Sequence, residues 1–297
     1  SPPVILGHEL CGEIQNDIIA GDGMTINAGS RVAVCPLIPC LHCHYCKIGD
    51  YNLCINLREI GSTSDGGFAQ YVTIPEQLIR MGGLVPVPDN LTDEEAALLE
   101  PLACCLNSFS RMLPVAKESS IVIIGDGPMG LIHLQLFKRL SSSRVAIVGK
   151  VPLRMEKARA MGADAVFAYS RDIALDVLDF AGASSGAGVI VIATSNPVAF
   201  ELATKVSARN SKINAFAGMP SGQTFLLDAN WMHYNQISIT GTFSSTPKIL
   251  EEATRIAAEK TIDLSAIVTH KYSLRKIEEA IEVTEKYHGL RAVINKF

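Results

Sequence analysis

From residue 119 onward the chain alternates short, almost wholly apolar runs with longer mixed stretches. IVIIG (121–125), RVAIVG (144–149), ADAVFAY (163–169), GVIVIAT (188–194), KINAFAG (212–218) and ISITGTF (237–243) are each about a strand long and rich in β-branched residues. A run that is apolar at nearly every position needs burial on both faces, which a parallel sheet covered by helices provides. Helical stretches near 129–140 and 152–161 separate the first of these runs, so the pattern predicts a doubly wound α/β sheet. Beyond it, helix-like segments at 246–260 and 274–286 flank an extended IVTHKYS (267–273). Residues 1–88 have another rhythm, with short strands and turns and Gly and Pro throughout. RVAVC (31–35) and FAQYVTI (68–74) read as strands, and GGLVPVPDN (82–90) as a connector. Thr92 with Glu95 three residues on predicts a capping box that opens the helix TDEEAALL.

Composition narrows the class without naming a function. The 297 residues are 48% hydrophobic and 19% charged, with a formal net charge of −4. That charge gives no basic field for nucleic acid or an anionic membrane surface. No apolar run approaches the roughly 20 residues that a membrane helix needs. All eight cysteines lie at or before Cys105. This is not the even spread of a disulfide-stapled protein, and it points to a reducing, cytoplasmic compartment.

Four of those cysteines crowd into one loop, CLHCHYCKIGDYNLC, at Cys40, Cys43, Cys46 and Cys54. Cysteines three apart converge from a tight turn, and the return loop brings the fourth round. Four thiolates in tetrahedral array suit zinc, and such closed sites are structural because no position stays open for a substrate. A redox pair would leave Cys46 and Cys54 unexplained, and disulfides fit the compartment badly. His42 and His44, inside the loop, read as exposed residues beside a complete set of sulfurs.

A second motif follows the first apolar run. In IVIIGDGPMGL the glycines Gly125, Gly127 and Gly130 stand between a strand and a helix. The first glycine allows the tight turn, the second lets a pyrophosphate approach the backbone, and the third permits close helix–strand packing. Amides at the helix start, around Pro128 and Met129, then face the phosphates. The second strand ends in Gly149-Lys150, without the carboxylate that usually accepts the ribose hydroxyls of NAD. This leaves room for a 2′-phosphate, for which Lys150 and Arg154 could supply charge. Alternatively, both cations are solvated residues at a helix start.

GHELCG (7–12), the four-cysteine loop, GGFAQY (66–71), EPLAC (100–104), the GDGPMG turn and THKYSL (269–274) occur in the order found in the zinc-dependent medium-chain alcohol dehydrogenases. Over nearly its whole length the chain resembles that family, and most closely its polyol and threonine dehydrogenase branch. The resemblance implies a GroES-like, mainly-β catalytic domain (1–104 and 244–297) with a zinc lobe at about 36–56, interrupted by a Rossmann domain (105–243). It implies a catalytic zinc held by His8, Glu9 and Glu100, with Glu100 a ligand or the holder of the zinc's water. On the residues alone, His8 reads as a loop histidine and Glu9 as a surface glutamate. Glu100 reads either as a buried carboxylate needing a metal or water network, or as a solvated residue before Pro101.

Further contacts are carried over by resemblance. The backbone around Ala217, Gly218 and Met219, and Thr242 with Phe243, would flank a nicotinamide, while Tyr169 would meet the 2′-phosphate. The expected cofactors are a structural zinc, a catalytic zinc if the family's upstream cysteine is present, and NADP, with NAD possible. The expected substrate is a small polyol, sugar or secondary alcohol, and the expected assembly is a homo-dimer or homo-tetramer. The family's first zinc ligand is a cysteine upstream of the GHE motif, so the chain is expected to be a fragment whose beginning lies before SPPVILGHEL. Threonine dehydrogenase and a non-catalytic, zinc-stabilised nucleotide-binding protein are the alternative readings.

Overall fold

The computed structural model describes residues 3–21, 23–116, 119–141, 143–182 and 186–297. It divides into two compact units, 1–104 with 244–297 and 105–243; the first boundary falls inside a helix and the second in the loop after residue 241.

The first unit opens with short strands. β1 (Cys11–Glu13), β4 (Arg31–Val34) and β7 (Leu84–Pro86) form an antiparallel sheet, and β2 (Ile18–Ile19) pairs with β3 (Thr25–Ile26) in a ribbon. β5 (Leu37–Ile38) pairs with β6 (Arg58–Glu59), and the cysteine loop lies between them with a short helix α1 (His44–Lys47). FAQYVTI departs from the expected strand. It has the aromatic and β-branched residues of a strand, yet among the described residues it joins no sheet, and Gln70 and Tyr71 are both exposed. Such residues fit a pleated surface, but a ladder also needs a neighbouring strand. Helix α2 (Glu76–Arg80) follows, then α3 (Asp93–Ala97), which starts on the capping box. The Thr92 hydroxyl accepts from the Glu95 N–H at 3.2 Å, and the Glu95 carboxylate accepts from the Thr92 N–H at 2.9 Å. The chain breaks step at Leu98 and re-enters α4 (Leu99–Met112), placing Glu100 in its first turn.

The second unit is built on a six-stranded parallel sheet. Its strands β8 (Ser120–Ile124), β9 (Arg144–Gly149), β10 (Ala165–Ala168), β11 (Ala187–Ile192), β12 (Ser207–Ala215) and β13 (Ser238–Gly241) lie in the order β10-β9-β8-β11-β12-β13. The intervening crossovers carry α5 (Pro128–Leu140), α6 (Pro152–Ala160), α7 (Ala174–Ala181), α8 (Val198–Val206) and α9 (Ala229–Asn235). Counted from the first strand this is order 3-2-1-4-5-6, that of a Rossmann sheet. Every residue of Ile121–Ile124 is buried. Val122 and Ile124 pack with Ile190, Ile192, Val177 and Phe200. Burial on both faces is why these strands read as unbroken apolar runs.

The chain then returns to the first unit through α10 (Pro247–Ala258), β14 (Val268–Ser273), α11 (Ile277–Glu285) and β15 (Arg291–Lys296). β14 and β15 pair in parallel, with Val268 opposite Arg291.

Candidate active site, zinc lobe and dinucleotide turn

In the zinc lobe the four cysteine sulfurs lie within 4.8 Å of one another. Cys43 Sγ is 3.5 Å from Cys46 Sγ, which is 3.9 Å from Cys40 Sγ. Zinc–sulfur bonds of about 2.3 Å in a tetrahedron put neighbouring sulfurs about 3.8 Å apart, so the cage has the dimensions of a zinc tetrathiolate. Its electrostatics need a cation. The N–H groups of Cys46 and then Ile55 stabilise the Cys43 thiolate and lower its pKa to about 6. Burial, then the neighbouring thiols, push Cys46 up to about 12. Four thiolates at this spacing repel one another unless a metal lies between them. None of the eight cysteines is in a disulfide. His42 is turned to the Cys40 carbonyl at 2.7 Å, and neither it nor His44 belongs to the donor group.

A second donor group joins the chain's first residues to α4. One donor atom each from His8, Glu9 and Glu100 lies within 4.8 Å of the others. Backbone bonds hold this segment in place. Gly66 N–H donates to the Ile5 carbonyl (2.8 Å), Gly67 N–H to Gly7 (2.8 Å) and Phe68 N–H to Leu6 (3.0 Å). A Cβ on Gly66 would stand 2.3 Å from the Gly7 oxygen, so the chain lies this close to residues 6 and 7 only because Gly66 has no side chain. His8 is exposed and Glu9 half-buried, while Glu100 is only 6% exposed. Burial, then the charge of Glu9, raises the Glu100 pKa to about 7, against a hydrogen bond donated by the Cys104 thiol at 3.1 Å. An imidazole with two crowded carboxylates, one of them buried, is a donor set that suits zinc, and a cation there offsets the repulsion.

Arg291, at the head of β15, completes the group and escaped the sequence reading. Its Nη2 donates to Glu9 Oε1 at 2.7 Å, both side chains being largely covered. The signal for it was slight: a cation opening a final apolar strand, with a partner 282 residues away.

In the second unit the glycine turn has the geometry of a dinucleotide cradle. Gly125 has φ +129°, a conformation that L side chains rarely adopt, and a Cβ on Gly130 would lie 2.0 Å from the Gly125 oxygen. Over Gly127 the nearest atom to a Cβ is Arg154 Nη1 at 3.9 Å, so the turn is open where phosphates would come to the backbone. Helix α5 starts there with Pro128 in its first turn and Met129 and Gly130 next. Arg154 is buried, not solvated, and the exposed Lys150 holds Nζ 4.7 Å from the centre of the Tyr169 ring. The space over Gly149, expected to be open, contains the Asp126 side chain. Ala217, Gly218 and Met219 follow the end of β12, and Thr242 and Phe243 the end of the adjacent β13. Thr242 Oγ1 donates to Asn214 Oδ1 at 3.2 Å.

A parallel sheet with a dinucleotide turn, joined in one chain to a mainly-β unit bearing a thiolate cage and an imidazole–carboxylate group, defines a metal-dependent dehydrogenase. Residues 1–89 match the alcohol dehydrogenase GroES-like domain, and residues 128–259 the zinc-binding dehydrogenase family. The chain is 32% identical to a sorbitol dehydrogenase of Bacillus subtilis over 287 residues, covering 94% of this chain and 77% of that one. It is 27% identical to an L-threonine 3-dehydrogenase of Alteromonas mediterranea, covering 99% and 83%. A crystal structure described as a zinc-binding dehydrogenase of Sinorhizobium meliloti bound to NADP superposes with a TM-score of 0.85 at 26% identity, covering 100% of this chain and 82% of that one. The chain belongs to the zinc-binding, medium-chain alcohol dehydrogenase family.

Proposed function

We infer that this chain transfers a hydride between an alcohol and a nicotinamide cofactor with the help of zinc, and that its substrate is a polyol, sugar or secondary alcohol. The observation that carries this is the presence in one chain of the His8–Glu9–Glu100 donor group and the open glycine turn after β8. A donor group of that composition also weighs against the non-catalytic reading. The similarity to proteins named sorbitol dehydrogenase favours a polyol, and the similarity to those named L-threonine 3-dehydrogenase makes threonine the second candidate.

The roles follow from the geometry. His8, Glu9 and Glu100 would hold a catalytic zinc, and Cys40, Cys43, Cys46 and Cys54 a structural one. When bound, the catalytic zinc supplies Lewis-acid polarisation of the substrate oxygen, and the nicotinamide supplies or accepts the hydride. Arg291 holds Glu9 in one orientation and balances part of the charge that Glu9 and Glu100 bring together. Without a metal, burial and then Glu9 raise the Glu100 pKa to about 7, so a cation bound there would displace the proton and hold the carboxylate ionised. The α5 N-terminus and the turn at Gly125–Gly130 bind the pyrophosphate. Lys150, Arg154 and Tyr169 gather cationic and hydrogen-bonding groups at the end of β9, which favours NADP(H). Residues 217–219, Thr242 and Phe243 would line the nicotinamide end, since ligands of such sheets sit at the carboxyl ends of the strands.

Among the described residues no helix is long and apolar enough to cross a membrane. The crowding of all eight cysteines into the first 105 residues, four of them in one loop, favours a reducing, cytoplasmic setting, and a homo-dimer or tetramer is the assembly that the family resemblance implies. The test is a panel of polyols, sugars, secondary alcohols and L-threonine assayed with NAD and NADP on zinc-loaded protein. Reduction of the cofactor by a polyol supports the reading, turnover of threonine alone selects the second candidate, and turnover of none refutes both.

A further inference from the structure

Dinucleotide-binding sheets of this type usually carry a carboxylate at the end of the second strand, where it accepts the ribose hydroxyls. Here that residue is Gly149, yet the place is not empty. A Cβ on Gly149 would stand 2.5 Å from Asp126 Oδ2, 2.6 Å from Asp126 Cβ and 2.7 Å from its Cγ. Asp126 belongs to the glycine turn after β8 and is 8% exposed. Its Oδ2 accepts the Lys150 N–H at 2.8 Å and the Val151 N–H at 2.7 Å. The carboxylate missing from the second strand is therefore delivered from the first turn, and Gly149 is small because Asp126 lies across it.

We propose that Asp126 sets the discrimination between phosphorylated and unphosphorylated dinucleotides in this chain. Its carboxylate fills the strand-end position, takes two consecutive backbone amides that could otherwise bind a 2′-phosphate, and repels that phosphate. Lys150 and Arg154 pull the other way, so Asp126 limits a preference for NADP(H) that the cations create. Residue 149, where this discrimination is usually sought, acts here by leaving room for Asp126. The inference rests on the reading of residues 105–243 as the dinucleotide site.

The test is calorimetric binding of ADP-ribose and of its 2′-phosphate to the zinc-loaded protein without alcohol, for wild type, Asp126→Asn, Gly149→Asp and the double variant Asp126→Ala/Gly149→Asp. Asp126→Asn keeps an oxygen acceptor for both amides and removes the charge. It is expected to shift the ratio of the two dissociation constants by about tenfold or more toward the 2′-phosphate ligand. A merely structural role would weaken both ligands alike and leave the ratio unmoved. Gly149→Asp alone should weaken both and lower the melting temperature, because its side chain meets Asp126. The double variant should regain ADP-ribose binding by returning the carboxylate to the strand. A ratio within about twofold of wild type in Asp126→Asn, with both ligands still bound, overturns the inference but not the dinucleotide reading. So does a Gly149→Asp variant that binds and melts like wild type. Failure of wild type to bind either ligand overturns both.

Discussion

His133 offers a clean pH experiment within the dinucleotide-binding unit. It lies on α5 one turn beyond the glycine motif, fully buried, with Nδ1 2.7 Å from the Met129 carbonyl and its ring edge-on to Phe216. Nε2 is buried without a partner, so a proton there would be a charge with nothing to offset it. Burial accordingly depresses the pKa from 6.5 to about 4, against the bond to Met129. In the unfolded chain the imidazole takes up a proton as pH falls through 6.5, while in the folded chain it resists until about 4. The unfolded state thus binds more protons over that window, and stability falls with falling pH. At 1.36 kcal/mol per tenfold difference in proton affinity, the ceiling is roughly 3 kcal/mol, most of which is lost by about pH 4.5. Glu94, held at about 2 by Lys271 and Asn295, loses its share of stability only at lower pH, so the two effects separate. Urea unfolding of wild type and His133→Leu, from neutral pH down to about 4.5, measures this. Loss of the Met129 bond gives the variant an offset nearly constant with pH, and its acid decline should be shallower by roughly 2 kcal/mol. Parallel declines in the two proteins would refute the reasoning.

Three other perturbations test the site. Cys43→Ser/Cys46→Ser should contain about one zinc fewer by elemental analysis and melt at lower temperature; unchanged zinc content contradicts the cage. Gly130→Ala forces a methyl to within 2.0 Å of the Gly125 oxygen, so ADP-ribose binding should be lost and the melting temperature lowered, whereas normal binding contradicts the cradle. Glu100→Gln keeps the side-chain shape but removes the carboxylate, and kcat/KM should fall by about a hundredfold or more; near-normal activity would remove Glu100 from the reaction.

The elements that were legible in the sequence are those whose signal is local or imposed by burial. The apolar runs of β8, β9 and β11 are continuous because both faces of the sheet are covered. The capping box at Thr92 and Glu95 is a contact across one turn, and it formed as the spacing predicts. The cysteine loop is likewise close in sequence, which is why its cage could be read from spacing. What escaped depends on where the fold sends a side chain. FAQYVTI has the residue types of a strand but, among the described residues, joins no sheet. Arg291 reaches Glu9 from the opposite end of the chain. Asp126 reads in the sequence only as a residue between two glycines, and only the return of β9 beside β8 brings its carboxylate over Gly149.

The central claim is hydride transfer between an alcohol carbon and a nicotinamide, and isotope transfer tests it most directly. Zinc-loaded protein would be given a polyol deuterated at its reacting carbon together with oxidised cofactor, and the reduced cofactor examined by mass spectrometry and NMR. The account predicts one deuterium at C4 of the nicotinamide ring, on a single face, with transfer lost in Glu100→Gln. Reduced cofactor carrying only protium, or no reduction with any alcohol offered, would contradict it.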